Sequence, residues 1–192
     1  MFTRLHLIRH GQTDWNAQGR WQGQAPHAPG LNDIGMAQAR ATAEKLIGQH
    51  FDVFYCSDLL RARQTADIVA EVVKLPIHID NRLREINQGD WEGLTNDIIA
   101  PRWPYEWEWR NRDPLNMQRP NGESVAMVAA RLKIAADDLA TRHIGQDVLI
   151  VSHGLALATL ICHANGIYLG DARHHIPNNA QIIKLEWPVQ HP

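Results

Sequence analysis

Arg9 and His10 stand together at the end of an apolar run, in "LHLIRHGQTDWN", and His153 ends a second such run, in "VLIVSHG". Each histidine is followed by a glycine, which lets backbone come close to a ligand. In open α/β sheets ligands bind at the carboxyl ends of strands, so the two imidazoles are candidates for one site although 143 positions separate them. In "FYCSDLLRARQTA", Arg61 and Thr65 lie one helical turn apart near a predicted helix start, and Arg63 points to another face. A cation in the first turn opposes the helix dipole, an objection that a bound anion removes. The helix beginning at Gly154 likewise offers an N-terminus that favours an anion. Glu85, in "LREINQGDWEGLT", is the candidate carboxylate, with Glu92 a weaker one. Local sequence alone favours an ordinary ion pair between Glu85 and Arg82 or Arg84. Beside an oxyanion its protonated form would be favoured, which suits a general acid.

Taken together, Arg9, His10, Arg61, Glu85 and His153 suit phosphoryl transfer. Arginines clamp the phosphoryl group, one imidazole attacks phosphorus, the other stabilises the transition state, and the acid protonates the leaving oxygen. This inventory needs no metal or other cofactor. The histidines invite a metal reading, His174 and His175 most of all, but no HExxH or compact ligand spacing is present. That pair falls in the predicted loop before the last strand, where a place on the pocket rim and a surface role are equally open.

The elements that must position these residues follow from periodicity. Predicted strands cover 5–8, 51–57, 76–80, 147–152 and 179–187, and the longest predicted helices cover 58–74, with Ser57 or Asp58 as cap, and 123–143. A further helix begins near Asn32 or Asp33, and an apolar one runs from His153 to near Gly166. Residues 11–30 read as one long loop. Residues 81–121 loosen into a Pro- and Trp-rich stretch, partly helical around 94–111. Alternating strands and helices predict a three-layer α/β/α sandwich with a mostly parallel sheet and an inserted lid-like excursion over 87–121, within one domain spanning 1–192.

Composition bounds the partners. With 192 residues, 44% hydrophobic and net charge -2, nothing global suggests a nucleic-acid or membrane surface. No segment reaches a membrane-spanning length, and the N-terminus does not read as a signal peptide. Cys56 and Cys162 read as buried free thiols, so a cytoplasmic location is expected. The exposed helix faces show no clear patch, and a homodimer is compatible with them.

The segments "LIRHGQTDWN", "SDLLRARQTA", "LREINQGDWEGLT", "PNGESVAMVAARL" and "VLIVSHG" closely resemble the histidine phosphatase superfamily, in the branch of cofactor-dependent phosphoglycerate mutases and their phosphatase relatives. The resemblance runs from residue 3 to about 187. It implies that His10 becomes phosphohistidine, that Arg9, Arg61 and His153 complete the phosphate pocket, and that Glu85 is the proton donor. It further implies that Asn16, Gln22 and Gly23 contact the phosphoryl group or substrate, with the Gly154 backbone in the pocket. Spacing alone does not rank Glu85 first; the resemblance does. Set against the mutases, the tail "PVQHP" is short, and the excursion carries Trp103, Tyr105, Trp107 and Trp109 in place of a dense basic patch. The expected function is hydrolysis of a small-molecule phosphate monoester, with phosphoglycerate mutase as the alternative. Substrate discrimination is expected to reside in 87–121 and 17–31.

Overall fold

In the computed structural model, residues 1–189 are described; Gln190, His191 and Pro192, part of the short tail noted above, lie outside them. Five strands, β1 (Phe2–Arg9), β2 (Val53–Cys56), β3 (Ile77–Ile79), β4 (Asp147–Ser152) and β5 (Ile182–Pro188), form one sheet in the order β3-β2-β4-β1-β5. The first four are parallel and β5 runs antiparallel beside β1 at the edge. Seven α-helices accompany them: α1 (Asp14–Ala17), α2 (Asp33–Glu44), α3 (Leu60–Val73), α4 (Asn96–Arg102), α5 (Pro104–Arg112), α6 (Val125–Arg142) and α7 (Gly154–Asn165).

The sheet is apolar on both faces, which is why its strands read as continuous apolar runs. Leu5, Leu7, Val148, Ile150 and Leu185 pack against α6 and α7, through Leu132, Leu139, Leu157 and Leu160 among others. Ile8, Phe54, Leu149 and Val151 face the other way, against Ala43 after Ala39 of α2 and Ala62, Ala66 and Val69 of α3. Each buried leucine or valine contributes about 1.5–3 kcal/mol, so these central strands are held firmly on both sides. The expected three-layer sandwich with a mostly parallel sheet is therefore observed.

This topology makes a crevice. Strands β1 and β4 are neighbours, with Arg9 opposite Ser152 at their carboxyl ends. The chain leaves β1 for α2 on one face and leaves β4 for α7 on the other. Helices departing to opposite faces leave open space above the two strand ends. His10 and His153 are the next residues along each strand.

Several boundaries differ from the sequence reading. Strand β1 begins earlier, at Phe2, because β5 pairs with it from Phe2 onward, with β4 joining from Arg4. The 11–30 loop contains the single turn α1, closed by a capping box in which Thr13 Oγ1 accepts from Asn16 N and Asn16 Oδ1 accepts from Thr13 N. Helix α3 starts at Leu60, and its cap residue, Leu59, contributes no side-chain bond. Neither Ser57 nor Asp58 caps it: Asp58 pairs with Arg84, and Ser57 bonds His153. Long-range partners outcompete the local cap here. Asn32 does cap α2, accepting from Gly35 N, and Gly166 ends α7 at φ 63°. Both cysteines are buried and free.

The excursion folds as α4 and α5 over a small apolar cluster of Trp91, Ile99 and Met117, with Trp21, Trp103 and Trp107 packed on it. Two of the four aromatic residues singled out by the sequence, Trp103 and Trp107, are thus packing residues. Tyr105 and Trp109 are exposed. No helix among the described residues is long and apolar enough to cross a membrane.

Candidate active site

The carboxyl end of β1 delivers His10 into a buried position, 2% exposed. Its Nδ1 lies 2.7 Å from the Gly11 carbonyl oxygen, and Arg61 Nε lies 3.2 Å from its Nε2. A carbonyl only accepts and a guanidinium only donates, so the two contacts together fix the tautomer: the proton is on Nδ1 and the lone pair is on Nε2. The sequence could not say which nitrogen is free, because both partners are set by the fold. Gly11 is required by close approach, since a Cβ there would overlap the carbonyl of Gly35. Its amide donates to Thr65 Oγ1 at 3.1 Å, and Thr65 Oγ1 donates to the Arg61 carbonyl. The spacing of Arg61 and Thr65 on α3 thus ties the β1 end to the helix that carries the arginine.

Arg61 is buried in the first turn of α3, whereas Arg63 is exposed, as their positions on different faces predict. Arg61 Nη2 donates to the Gly23 carbonyl at 2.8 Å. Burial pushes its pKa down to about 10, against the opposing effect of Glu85, which leaves it cationic at neutral pH. His153 is wholly buried, with its ring 5.2 Å from that of His10 between centroids. Its Nε2 is 2.8 Å from Ser57 Oγ, and its Nδ1 has no partner among the described residues. Arg9 donates from Nη1 to the Pro177 carbonyl at 2.7 Å, and its buried Nε has no partner. The guanidinium lies over Gly154, where a Cβ would come within 3.3 Å of Arg9 Nε. That flat approach is what the glycine after His153 provides.

Among the described residues Glu85 is in no ion pair. Arg82 pairs with Asp80 and Asp138, and Arg84 with Asp58, so the local ion-pair reading fails. Instead Oε1 accepts from Ile86 N and Ala156 N, both at 3.0 Å, and Oε2 accepts from Leu155 N at 3.1 Å. The amides at the N-terminus of α7 thus bind the chain's own Glu85 side chain. Glu92 has a different task. It accepts from Gln24 N at 2.6 Å and Gln88 N, and so pins the segment whose Gly23 carbonyl holds Arg61.

Above these groups lies a cavity of about 500 Å³, within the usual range for small-molecule sites. Arg9, Asn16, Glu85 and Gly154 line it. His10, Arg61 and His153 are buried and outside its lining. Gln22 is buried with an unpartnered Oε1, and Gly23 serves through its carbonyl; neither lines the cavity. His174 is in the wall, and His175 is not. The sequence reading missed Ser57 as the partner of His153. It also missed Asn179, whose Nδ2 donates to the His10 carbonyl at 3.0 Å, and Arg110, Arg119 and Arg173 in the wall. None of these carries a local signal. Among the described residues, no three His, Cys, Asp or Glu side chains converge as a metal site.

Both imidazoles are held well below the ordinary histidine pKa, by burial first and then by the Arg61 charge. In the unfolded chain they take up protons as pH falls through about 6.5. The folded state does not follow until lower pH, so the unfolded state binds more protons in that window. Stability is therefore full above about pH 6.5 and declines below it, by up to about 1.4 kcal/mol per pH unit for each ring. Urea unfolding at pH 7.5 and 5.5 is expected to show a clearly lower midpoint at 5.5. Equal midpoints would contradict buried neutral rings.

A crevice at β-strand ends, lined by arginines and a carboxylate over two neutral histidines, defines an α/β enzyme built to handle phosphate. The chain belongs to the histidine phosphatase superfamily (branch 1), whose sequence profile it matches over residues 5–192, and it is a phosphatase of that group. It is 32% identical over 166 residues to phosphoserine phosphatase 1 of Hydrogenobacter thermophilus, covering 86% of this chain and 78% of that one. It is 35% identical over 187 residues to a Yersinia pestis protein named "probable phosphoglycerate mutase GpmB", covering 96% and 85%. The solved alpha-ribazole phosphatase of Shigella flexneri superposes with a TM-score of 0.80 at 29% identity, covering 94% of this chain and 89% of that one.

Proposed function

We propose that the protein hydrolyses phosphate monoesters of small metabolites through a phosphohistidine at His10, without a metal ion. The observation that carries this reading is the fixed tautomer of His10, with an unprotonated Nε2 beside Arg61. The ester's phosphoryl group enters between Arg9, Arg61 and His153. Arg61 Nε exchanges the neutral imidazole for a phosphoryl oxygen, a stronger acceptor, while its Nη2 stays anchored on Gly23. Nε2 of His10 attacks phosphorus as the P–O bond to the leaving group breaks. Protonated Glu85 gives its proton to that oxygen. Water then attacks phosphorus as the P–Nε2 bond breaks and its electron pair returns to His10; Glu85 takes the water's proton, and inorganic phosphate leaves.

His153 donates from Nδ1 to a phosphoryl oxygen in this scheme. That proton position is supported by Ser57 Oγ, which can donate to Nε2 because its own acceptor side faces Leu59 N. Asn16, fixed by its bonds to Thr13, lies at the cavity wall for a further phosphoryl contact. Gly23 supports the site from behind, through its carbonyl on Arg61. Residues 87–121 contribute Gln88, Arg110, Pro114 and Arg119 to the cavity wall and in this scheme set specificity.

Brief exposure to a ³²P-labelled monoester, followed by an alkaline quench, is expected to leave acid-labile label on His10. Its absence under turnover would overturn the phosphohistidine route. Mutase chemistry is the competing reading, favoured by the GpmB-named relative. In a phosphorus NMR time course on 3-phosphoglycerate, 2-phosphoglycerate appearing faster than free phosphate would select it.

A further inference from the structure

The cavity wall holds more positive charge than one phosphoryl group can balance. Five arginines line it, Arg9, Arg20, Arg110, Arg119 and Arg173, against a single carboxylate, Glu85. A phosphate monoester brings about two negative charges near neutral pH. The reaction uses Arg9 in the wall and Arg61 behind it, which leaves the arginines of the outer wall without a counter-charge.

Two of them are held in ways that exposed arginines are not. Arg119 is only 4% exposed; its Nε donates to Gln88 Oε1 at 3.1 Å, and its Nη1 makes two long contacts, at 3.4 Å, to the Met117 and Glu123 carbonyls. Arg110 lies over two indoles, 5.0 Å from the Trp21 ring centroid and 4.9 Å from that of Trp107. Stacking holds a guanidinium plane while leaving its N–H edge free to bind. Among the described residues no carboxylate lies within ion-pair distance of either arginine. The nearby Glu123 is taken by Arg131. Burial is the largest influence lowering both pKa values, Arg119 to about 10, and each feels another arginine: Arg110 acts on Arg119, against the opposite effect of Glu85 and Glu123 at a distance, and Arg173 acts on Arg110. Buried cations are ordinarily paired, and like charges gathered on one wall repel unless an anion sits between them.

We infer that the substrate carries a second anionic group, a carboxylate or another phosphate, which Arg110 and Arg119 grip while the first phosphate lies at His10. This rests on the phosphatase reading above and narrows it from monoesters in general to esters that are anionic at both ends. The Trp cluster takes part by holding Arg110 flat. Gln88 takes part by holding Arg119.

Two substrate pairs test this without any variant. 3-Phosphoglycerate and sn-glycerol 3-phosphate differ by a carboxylate in place of a hydroxymethyl group. Fructose 1,6-bisphosphate and fructose 6-phosphate differ by the second phosphate. A kcat/KM preference of at least about 30-fold for the doubly anionic member is expected in one pair, and which pair shows it names the group. Arg110→Gln should then shrink that preference to about threefold or less, with Arg119→Gln as a second variant and thermal melting as the check on folding. Phosphate release from every ester with no preference in either pair overturns the second site and leaves the phosphatase reading intact. A preference that survives both variants equally overturns the assignment to these arginines. No release from any ester, with no label on His10, overturns both readings.

Discussion

His10→Ala is expected to release phosphate from p-nitrophenyl phosphate about 10⁴-fold more slowly than the wild type, or slower still. The size follows from what remains. Arg9, Arg61 and His153 would still bind and polarise the phosphoryl group, but no lone pair would stand in line with the leaving oxygen. Water would have to attack directly, in a site whose nucleophile is delivered by the rigid end of β1. The side chain removed is also the acceptor for Arg61 Nε, so the guanidinium becomes free to bind phosphate. Inhibition by inorganic phosphate should therefore persist while turnover is lost. Turnover within tenfold of the wild type would sink the assignment of His10 as nucleophile.

Glu85→Gln should cost activity in proportion to how badly the leaving group needs a proton. For an alkyl ester the expected loss is about 10³-fold, within the range of general acid catalysis. For p-nitrophenyl phosphate, whose leaving group departs readily as an anion, it should be about tenfold or less. The comparison matters because Glu85 also has a structural task, accepting from the amides of Leu155 and Ala156 at the start of α7. A glutamine amide nitrogen accepts neither, so one of the two bonds is lost and some disturbance of the helix start is expected on any account. Structural damage lowers both substrates alike, whereas loss of a proton donor separates them. An equal fall on the two esters would remove the general-acid role and leave only the structural one.

The second prediction also shows where reading along the chain runs out. Around Glu85 the local partners on offer are Arg82 and Arg84, and both turn away to Asp80, Asp138 and Asp58. Besides the adjacent Ile86 amide, the carboxylate's partners are two amides some 70 positions later, brought in when α7 packs on the sheet. Resemblance to a family ranked the residue as a site candidate, yet the neighbouring sequence did not show that the start of α7 holds it. The cap of α3 failed for the same reason: Ser57 and Asp58 are good caps in isolation, but distant His153 and Arg84 claim them. The excursion was read as lacking a basic patch because its tryptophans dominate the sequence. Folded, it brings Arg110 and Arg119 from separate segments onto one wall, with Arg173 from the far end of the chain.

By itself the sequence determined the layers. Continuous apolar strands alternating with amphipathic helices must bury both faces of a sheet, and a histidine and glycine just past two of those strands must emerge at its carboxyl edge. It also set Arg61 and Arg63 on different faces of α3 through helical periodicity alone. Tertiary structure decided everything that depends on two distant segments meeting: the neighbouring of β1 and β4, the tautomer of His10, the helix start beneath Glu85, and the arginines facing the site. Periodicity is a property of neighbours along the chain and can be read from them. A hydrogen-bond partner or an uncompensated charge is a property of neighbours in space, and it exists only once the crevice has closed around it.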